Sequence, residues 1–153
     1  ALGEIRARRG VATLADIGSG AGLPGIPLAV FLPQTPVTLV EPSQKRCAFL
    51  RSAAALMGLE NVSVFEGDLA LARREFGVVT FRAFRPLEKK ILKKLLALTA
   101  PGGLIAAYKA RAEKTQGEIA AARELGLDAR AQALSVPFLE EERCLLIIPA
   151  QAK

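Results

Sequence analysis

Short runs rich in β-branched residues alternate along the chain with longer stretches of helical periodicity. Residues 11–17, 37–41, 62–66, 78–81 and 103–108 read as strands, because apolar runs of this length and composition suit a buried pleated surface. Between the first two, residues 26–30 predict a short helix whose early prolines fall where no backbone donor is needed. Ser43 is placed to cap a second helix running to Met57, and Gly58 to end it in the left-handed conformation. Residues 87–98 predict a third helix, with Lys89, Lys90, Lys93 and Lys94 on one face and Ile91, Leu92, Leu95 and Leu96 on the other, closed by Pro101, Gly102 and Gly103. Residues 113–125 predict a fourth, ended by Gly126. The pattern then changes: residues 131–136 and 144–148 are apolar runs separated only by Pro137-Phe138-Leu139-Glu140-Glu141-Glu142, which predicts an antiparallel hairpin. The whole is an α/β pattern of seven strands, mostly parallel, with helices on both faces.

Composition narrows the class. The chain has 153 residues, 51% hydrophobic and 24% charged, which predicts one globular domain over residues 1–153. Prolines 24, 27, 33 and 36 break the longest apolar stretch well short of the roughly 18 residues of a membrane span, and no signal-type segment opens the chain. Cys47 and Cys144 are too few for a disulfide scaffold, so reduced thiols, buried as small hydrophobes, and a cytoplasmic location are expected. There is no histidine, which argues against a structural metal site and removes imidazole as a general base. The formal net charge is +6, and residues 82–114 alone hold nine Lys and Arg against Glu88 and Glu113. Such concentration fits a nucleic-acid footprint as well as it fits a general solubility charge, and the lysine face of the third helix reads more readily as a solvated surface than as an RNA contact. Phe84 and Phe138 are expected in the core.

The densest chemistry lies at residues 14–25, Leu-Ala-Asp-Ile-Gly-Ser-Gly-Ala-Gly-Leu-Pro-Gly, at the carboxyl end of the first strand. A turn built on Gly18, Ser19, Gly20 and Gly22 lets a ligand approach bare backbone. Gly20, Gly22 and Gly25 also satisfy the dinucleotide pattern G-x-G-x-x-G, a weak signal by itself. Asp16, two residues before the first glycine, repels a pyrophosphate but suits the cationic amino-acid end of S-adenosylmethionine. Glu41, ending the second strand, is placed to accept hydrogen bonds from both ribose hydroxyls. Asp68, after the third strand, is placed to accept from an adenine amine. Singly these acids read as helix caps or solvated strand ends; three at successive strand ends beside a glycine turn point to a nucleoside cofactor. With seven strands and a final hairpin, they favour the Rossmann-like fold of class I S-adenosylmethionine-dependent methyltransferases.

These residues resemble a specific family, the bacterial small-subunit ribosomal RNA guanine-N7 methyltransferases, also called glucose-inhibited division protein B. The likeness lies in residues 16–28, Asp-Ile-Gly-Ser-Gly-Ala-Gly-Leu-Pro-Gly-Ile-Pro-Leu, and in 41–51, Glu-Pro-Ser-Gln-Lys-Arg-Cys-Ala-Phe-Leu-Arg. It continues in 82–87, Arg-Ala-Phe-Arg-Pro-Leu, in Tyr108-Lys109, and in 142–148, Glu-Arg-Cys-Leu-Leu-Ile-Ile, and so covers nearly the whole chain. The resemblance implies methyl transfer from S-adenosylmethionine to N7 of a guanosine in the 530 loop of 16S ribosomal RNA. It implies the small ribosomal subunit or its RNA as partner; the residues themselves predict neither a metal site nor a membrane span, and a monomer is expected. It also implies that Gly18 and Leu23 line the cofactor, that Asp68, Leu69 and Ala70 run along its adenine, and that Arg82 sits between cofactor and RNA. Lys109 and Arg143 then face the target nucleotide as catalytic residues together with Arg82. Two departures stand out. Gly67-Asp68-Leu69-Ala70 replaces the family's Gly-Arg-x-Glu, and only residues 1–10 precede the first strand where the family carries a helical segment, as expected of a fragment or short variant. Other readings of the same cofactor site are a class I methyltransferase acting on another RNA, a protein or a small molecule, and an inactive RNA-binding variant.

Overall fold

The computed structural model describes residues 13–68, 75–82 and 86–151. Its elements run β1 (Leu14–Ile17), α1 (Gly25–Phe31), β2 (Val37–Glu41), α2 (Gln44–Leu56), β3 (Val62–Glu66) and β4 (Phe76–Arg82). They continue through α3 (Lys89–Ala97), β5 (Thr99–Lys109), a short 3-10 helix (Glu113–Thr115), α4 (Gln116–Arg123), β6 (Arg130–Leu134) and β7 (Arg143–Pro149). The strands form one sheet in the order β3-β2-β1-β4-β5-β7-β6. The first five pair in parallel, whereas β7 runs antiparallel to both β5 and β6, giving the predicted C-terminal hairpin.

Central strands covered on both faces read as unbroken apolar runs, and β1 and β7 are buried in this way. The edge strands β3 and β6 are partly exposed, so their sequences mix polar and apolar positions. Helices α3 and α4 cover one face, where Leu92, Leu95 and Ala122 meet Ile17, Val79 and Phe81. Helices α1 and α2 cover the other, where Leu28 and Leu50 meet Leu14, Leu39 and Val78. Each such leucine contributes roughly 1.5–3 kcal/mol by leaving water. No helix among the described residues is long and apolar enough to cross a membrane.

Three local expectations are corrected. Ser43 heads α2 but makes no side-chain cap; its carbonyl accepts from Cys47 N–H at 2.9 Å, while its own N–H is taken by the Glu41 carboxylate. Helix α3 starts at Lys89, with Leu87 buried ahead of it. Residues 101–103 form no turn outside the sheet: β5 begins at Thr99, paired with Phe76, and the register slips before Val78 meets Leu104. Glycine 58 does end α2, at φ +63°.

Pairing leads away from β1 in opposite directions, to β2 and β3 on one side and to β4 and β5 on the other. The crevice outside the carboxyl ends of strands at such a reversal is where open α/β sheets bind ligands.

Candidate active site

Strand β1 carries Asp16 into this crevice opposite Leu39 of β2 and Thr80 of β4. Its side chain is wholly buried, with Oδ2 accepting from the Gly25 N–H at 2.9 Å. Only glycine fits at position 25, because a Cβ there would lie 2.7 Å from Asp16 Oδ2 and collide with the Leu39 side chain. Between them the turn folds on itself: Ser19 Oγ donates to the Asp16 carbonyl at 2.8 Å and Gly22 N–H donates to the Ser19 carbonyl at 2.7 Å. Glycines 18, 20 and 22 take positive φ values of 68°, 57° and 88°, which opens this backbone toward the crevice. Asp16 Oδ1 is buried and has no hydrogen-bond partner among the described residues. Burial lifts the carboxyl to about pKa 7, opposed by the Gly25 amide, the Ser19 hydroxyl and the positive charge of Arg82. A buried anionic acceptor with an unused oxygen fits a cationic amine. The same contact disfavours a dinucleotide, since the helix N-terminus that a pyrophosphate needs is already filled by a carboxylate of the protein.

Glu41 is buried at the end of β2. Its Oε2 accepts from Gly20 N–H at 2.9 Å and its Oε1 from Ser43 N–H at 3.0 Å, with Arg46 at 3.7 Å. The Cys47 thiol donates to the Glu41 carbonyl at 3.1 Å, tying α2 to the strand end. Each carboxylate oxygen retains a second lone pair, so the group is oriented for a pair of adjacent hydroxyls. A cavity of about 180 Å³ opens beside it, lined by Ile17, Gly18, Glu41, Gly67 and Asp68 and rimmed by Ile91, Arg46 and Lys94. The predicted acids at the ends of β2 and β3 thus share one wall. Leu23 is partly exposed at the turn. Leu69 and Ala70 lie outside the described residues.

A larger cavity of about 510 Å³ lies at the same sheet edge and gathers Arg82, Lys109 and Arg143 with Tyr108, Val136 and Leu139. Sheet register explains the grouping: Arg82 pairs with Tyr108, and Lys109 with Cys144 beside Arg143. Asp16 feels this second group of side chains. Arg82 pulls the Asp16 carboxyl down, while burial, and after it the Asp16 charge, pushes the Tyr108 hydroxyl up to about 12. Arg143 Nη1 donates to the Glu142 carbonyl at 2.8 Å.

Lys109 is held more firmly than its sequence position announced. Its Nζ lies 2.7 Å from Glu118 Oε1 and 5.9 Å from the centre of the Phe81 ring. The same Glu118 oxygen accepts from Leu87 N–H at 3.0 Å, and Oε2 is buried without a partner among the described residues. Glu118 therefore joins α4, the end of β5 and the approach to α3. The sequence reading missed it, and its only local signal is an acid in the first turn of a helix. Phe138 is a correction of the opposite kind: it is fully exposed, not in the core. Phe84 lies outside the described residues. In the lysine face of α3, Lys89 pairs with Glu124 of α4, and Lys90, Lys93 and Lys94 are exposed.

The strand order, the antiparallel seventh strand and an acid-lined crevice beneath a glycine turn define a class I methyltransferase fold. Solved structures agree: a predicted O-methyltransferase from Agrobacterium tumefaciens superposes with a TM-score of 0.76 at 22% identity, covering 96% of this chain and 79% of that one. The profile of the rRNA small subunit methyltransferase G family matches residues 4–147, and the chain belongs to that family. Ribosomal RNA small subunit methyltransferase G of Treponema denticola is 41% identical over 141 residues, covering 88% of this chain and 56% of that protein. Its counterpart from Treponema pallidum (strain Nichols) is 40% identical over 141 residues, covering 88% and 62%. The chain thus spans little more than half the length of these relatives.

Proposed function

We propose that this chain binds S-adenosylmethionine at the ends of β1 to β3 and directs methyl transfer to N7 of a guanosine in the 530 loop of 16S ribosomal RNA. One observation carries the reading: a cavity lined by Glu41 and Asp68 and a cavity lined by Arg82, Lys109 and Arg143 open at the same end of the sheet, with Asp16 buried at the end of β1 in the field of Arg82. Asp16 takes the cofactor's ammonium, and Glu41 its ribose hydroxyls. Asp68, with Leu69 and Ala70 after it, takes the adenine, while Gly18, Ser19, Gly20, Gly22 and Leu23 form the floor. Residues 1–153 act as one monomeric domain in the cytoplasm, with the small ribosomal subunit or its RNA as partner.

The bound cofactor supplies an electrophilic methyl group on a sulfonium. N7 of guanine has an in-plane lone pair and no proton, so the protein needs no general base, as suits a chain without histidine. Positive charge passes from sulfur to the base without net change. The protein's contribution is alignment, a source of rate that can reach about 7–11 kcal/mol. Arg82, Lys109 and Arg143 hold phosphate or O6, because an N7 under attack cannot also accept their hydrogen bond. Lys109→Ala and Arg143→Ala are expected to lose methyl transfer while keeping cofactor affinity by calorimetry. Loss of cofactor binding in both contradicts this division of labour.

A further inference from the structure

We propose that Phe138 is a stacking platform for a base of the RNA, presented at the lip of the cation-lined cavity by a strained turn. The proposal rests on the RNA reading above and adds a contact that the family resemblance did not supply. The β6–β7 loop folds back where Leu139 N–H donates to the Val136 carbonyl at 3.1 Å. Pro137, second in this four-residue turn, cannot take positive φ, so the mirror-image turns are excluded. Phe138, third, sits at φ +65°, the position of a type II turn that selects glycine. An aromatic residue there is costly to the fold, and it turns no apolar surface inward: the side chain is fully exposed.

The surroundings identify the occupant. Val136 and Leu139, on either side of Phe138, line the cavity with Arg82, Tyr108, Lys109 and Arg143, a wall of three cations without a carboxylate. The loop's own acids, Glu140, Glu141 and Glu142, line a separate cavity with Arg111 and Glu113. A polyanion is therefore drawn to one side of the loop and repelled from the other. An apolar peptide or a second apolar protein face offers no anion to Arg82 and Arg143, and among the described residues only Lys109 already has a carboxylate, that of Glu118. A single-stranded nucleic acid satisfies both halves, with phosphates on the cations and a base on the aromatic ring.

The chain contains no tryptophan, so Phe138→Trp places one fluorophore at the proposed contact. Titration with a single-stranded oligoribonucleotide of the loop sequence is expected to change its emission saturably. Phe138→Ala is expected to weaken RNA binding about 5- to 140-fold at every salt concentration, the span of one lost base stack. The slope of log affinity against log salt stays unchanged, whereas Arg143→Ala reduces it by about 0.7. Cofactor affinity is unaffected by Phe138→Ala. Phe138→Gly, which relieves the turn, serves as a second variant with the same expected loss of RNA affinity. RNA binding at wild-type strength by both variants, or tryptophan emission unmoved by saturating RNA, overturns the proposal and leaves the methyltransferase reading intact. A wild-type chain that binds no RNA removes the RNA reading and this proposal together.

Discussion

Titrating cofactor affinity between pH 6 and 8 probes Asp16 directly. Burial raises its carboxyl from 3.8 to about 7, so a proton competes with the cofactor's ammonium for the same oxygens. The neighbouring charge that acts on it is Arg82 on β4, which favours ionisation; Tyr108 of β5, raised to about 12 chiefly by burial, stays protonated and neutral in this range. If only the ionised carboxylate binds, the apparent Kd scales with one plus the proton concentration over the acid constant. It is then roughly tenfold weaker at pH 6 than at pH 8. The sign for stability follows from the same shift. Between about pH 4 and 7 the unfolded chain ionises while the folded one holds its proton, so unliganded stability falls as pH rises, by up to about 4 kcal/mol, and levels off above pH 7. Asp16→Asn is expected to bind the cofactor about 30-fold more weakly or worse at pH 8, the loss of a buried charge partner, and to show no pH dependence. Calorimetric titration of both proteins at three pH values measures this. An Asn variant that binds as tightly refutes the assignment of Asp16 to the cofactor's ammonium, and a wild-type affinity that is flat from pH 6 to 8 refutes the raised carboxyl pKa.

Other substitutions test neighbouring parts of the account. Gly25→Ala drives a methyl group against Asp16 Oδ2 and Leu39, and is expected to cost about 1–3 kcal/mol in urea denaturation and to weaken the cofactor with it. Glu118→Gln leaves the Lys109 ammonium without its charge partner, with an expected loss of about 1–3 kcal/mol and a fall in methyl transfer larger than any change in cofactor Kd. Unchanged stability counts against the anchoring role of Glu118. Phe138→Gly relieves a left-handed residue at an exposed site and is expected to raise stability by about 1 kcal/mol, read as a higher Tm, while RNA affinity drops.

Much of the fold was legible because period and burial agree. Apolar runs such as Cys144 to Ile148 became doubly covered strands, and the lysine and leucine rows of α3 separated as their spacing required. The acids at strand ends were equally readable, since parallel strands deliver their carboxyl termini to one edge: Asp16, Glu41 and Asp68 reach it together. What escaped depends on contacts between distant elements. The Glu118 to Lys109 pair forms across the β5–α4 connection, and no local pattern distinguishes that glutamate from any acid near a helix start. Ser43 stands at the head of α2 as its position suggested, but its hydroxyl makes no cap; the bond that forms at that corner is from its own N–H to the Glu41 carboxylate, which its local sequence does not announce. Phe138 was misread because apolar character predicts burial, whereas Pro137 and the turn it sets up place the ring in solvent.

Transfer of labelled methyl from S-adenosylmethionine to small-subunit particles and to naked 16S RNA, followed by nucleoside analysis, tests the central claim most directly. The account predicts label in 7-methylguanosine, with transfer lost in Lys109→Ala. Label at another atom or in another nucleoside, or none with either substrate while the chain binds both cofactor and RNA, contradicts it.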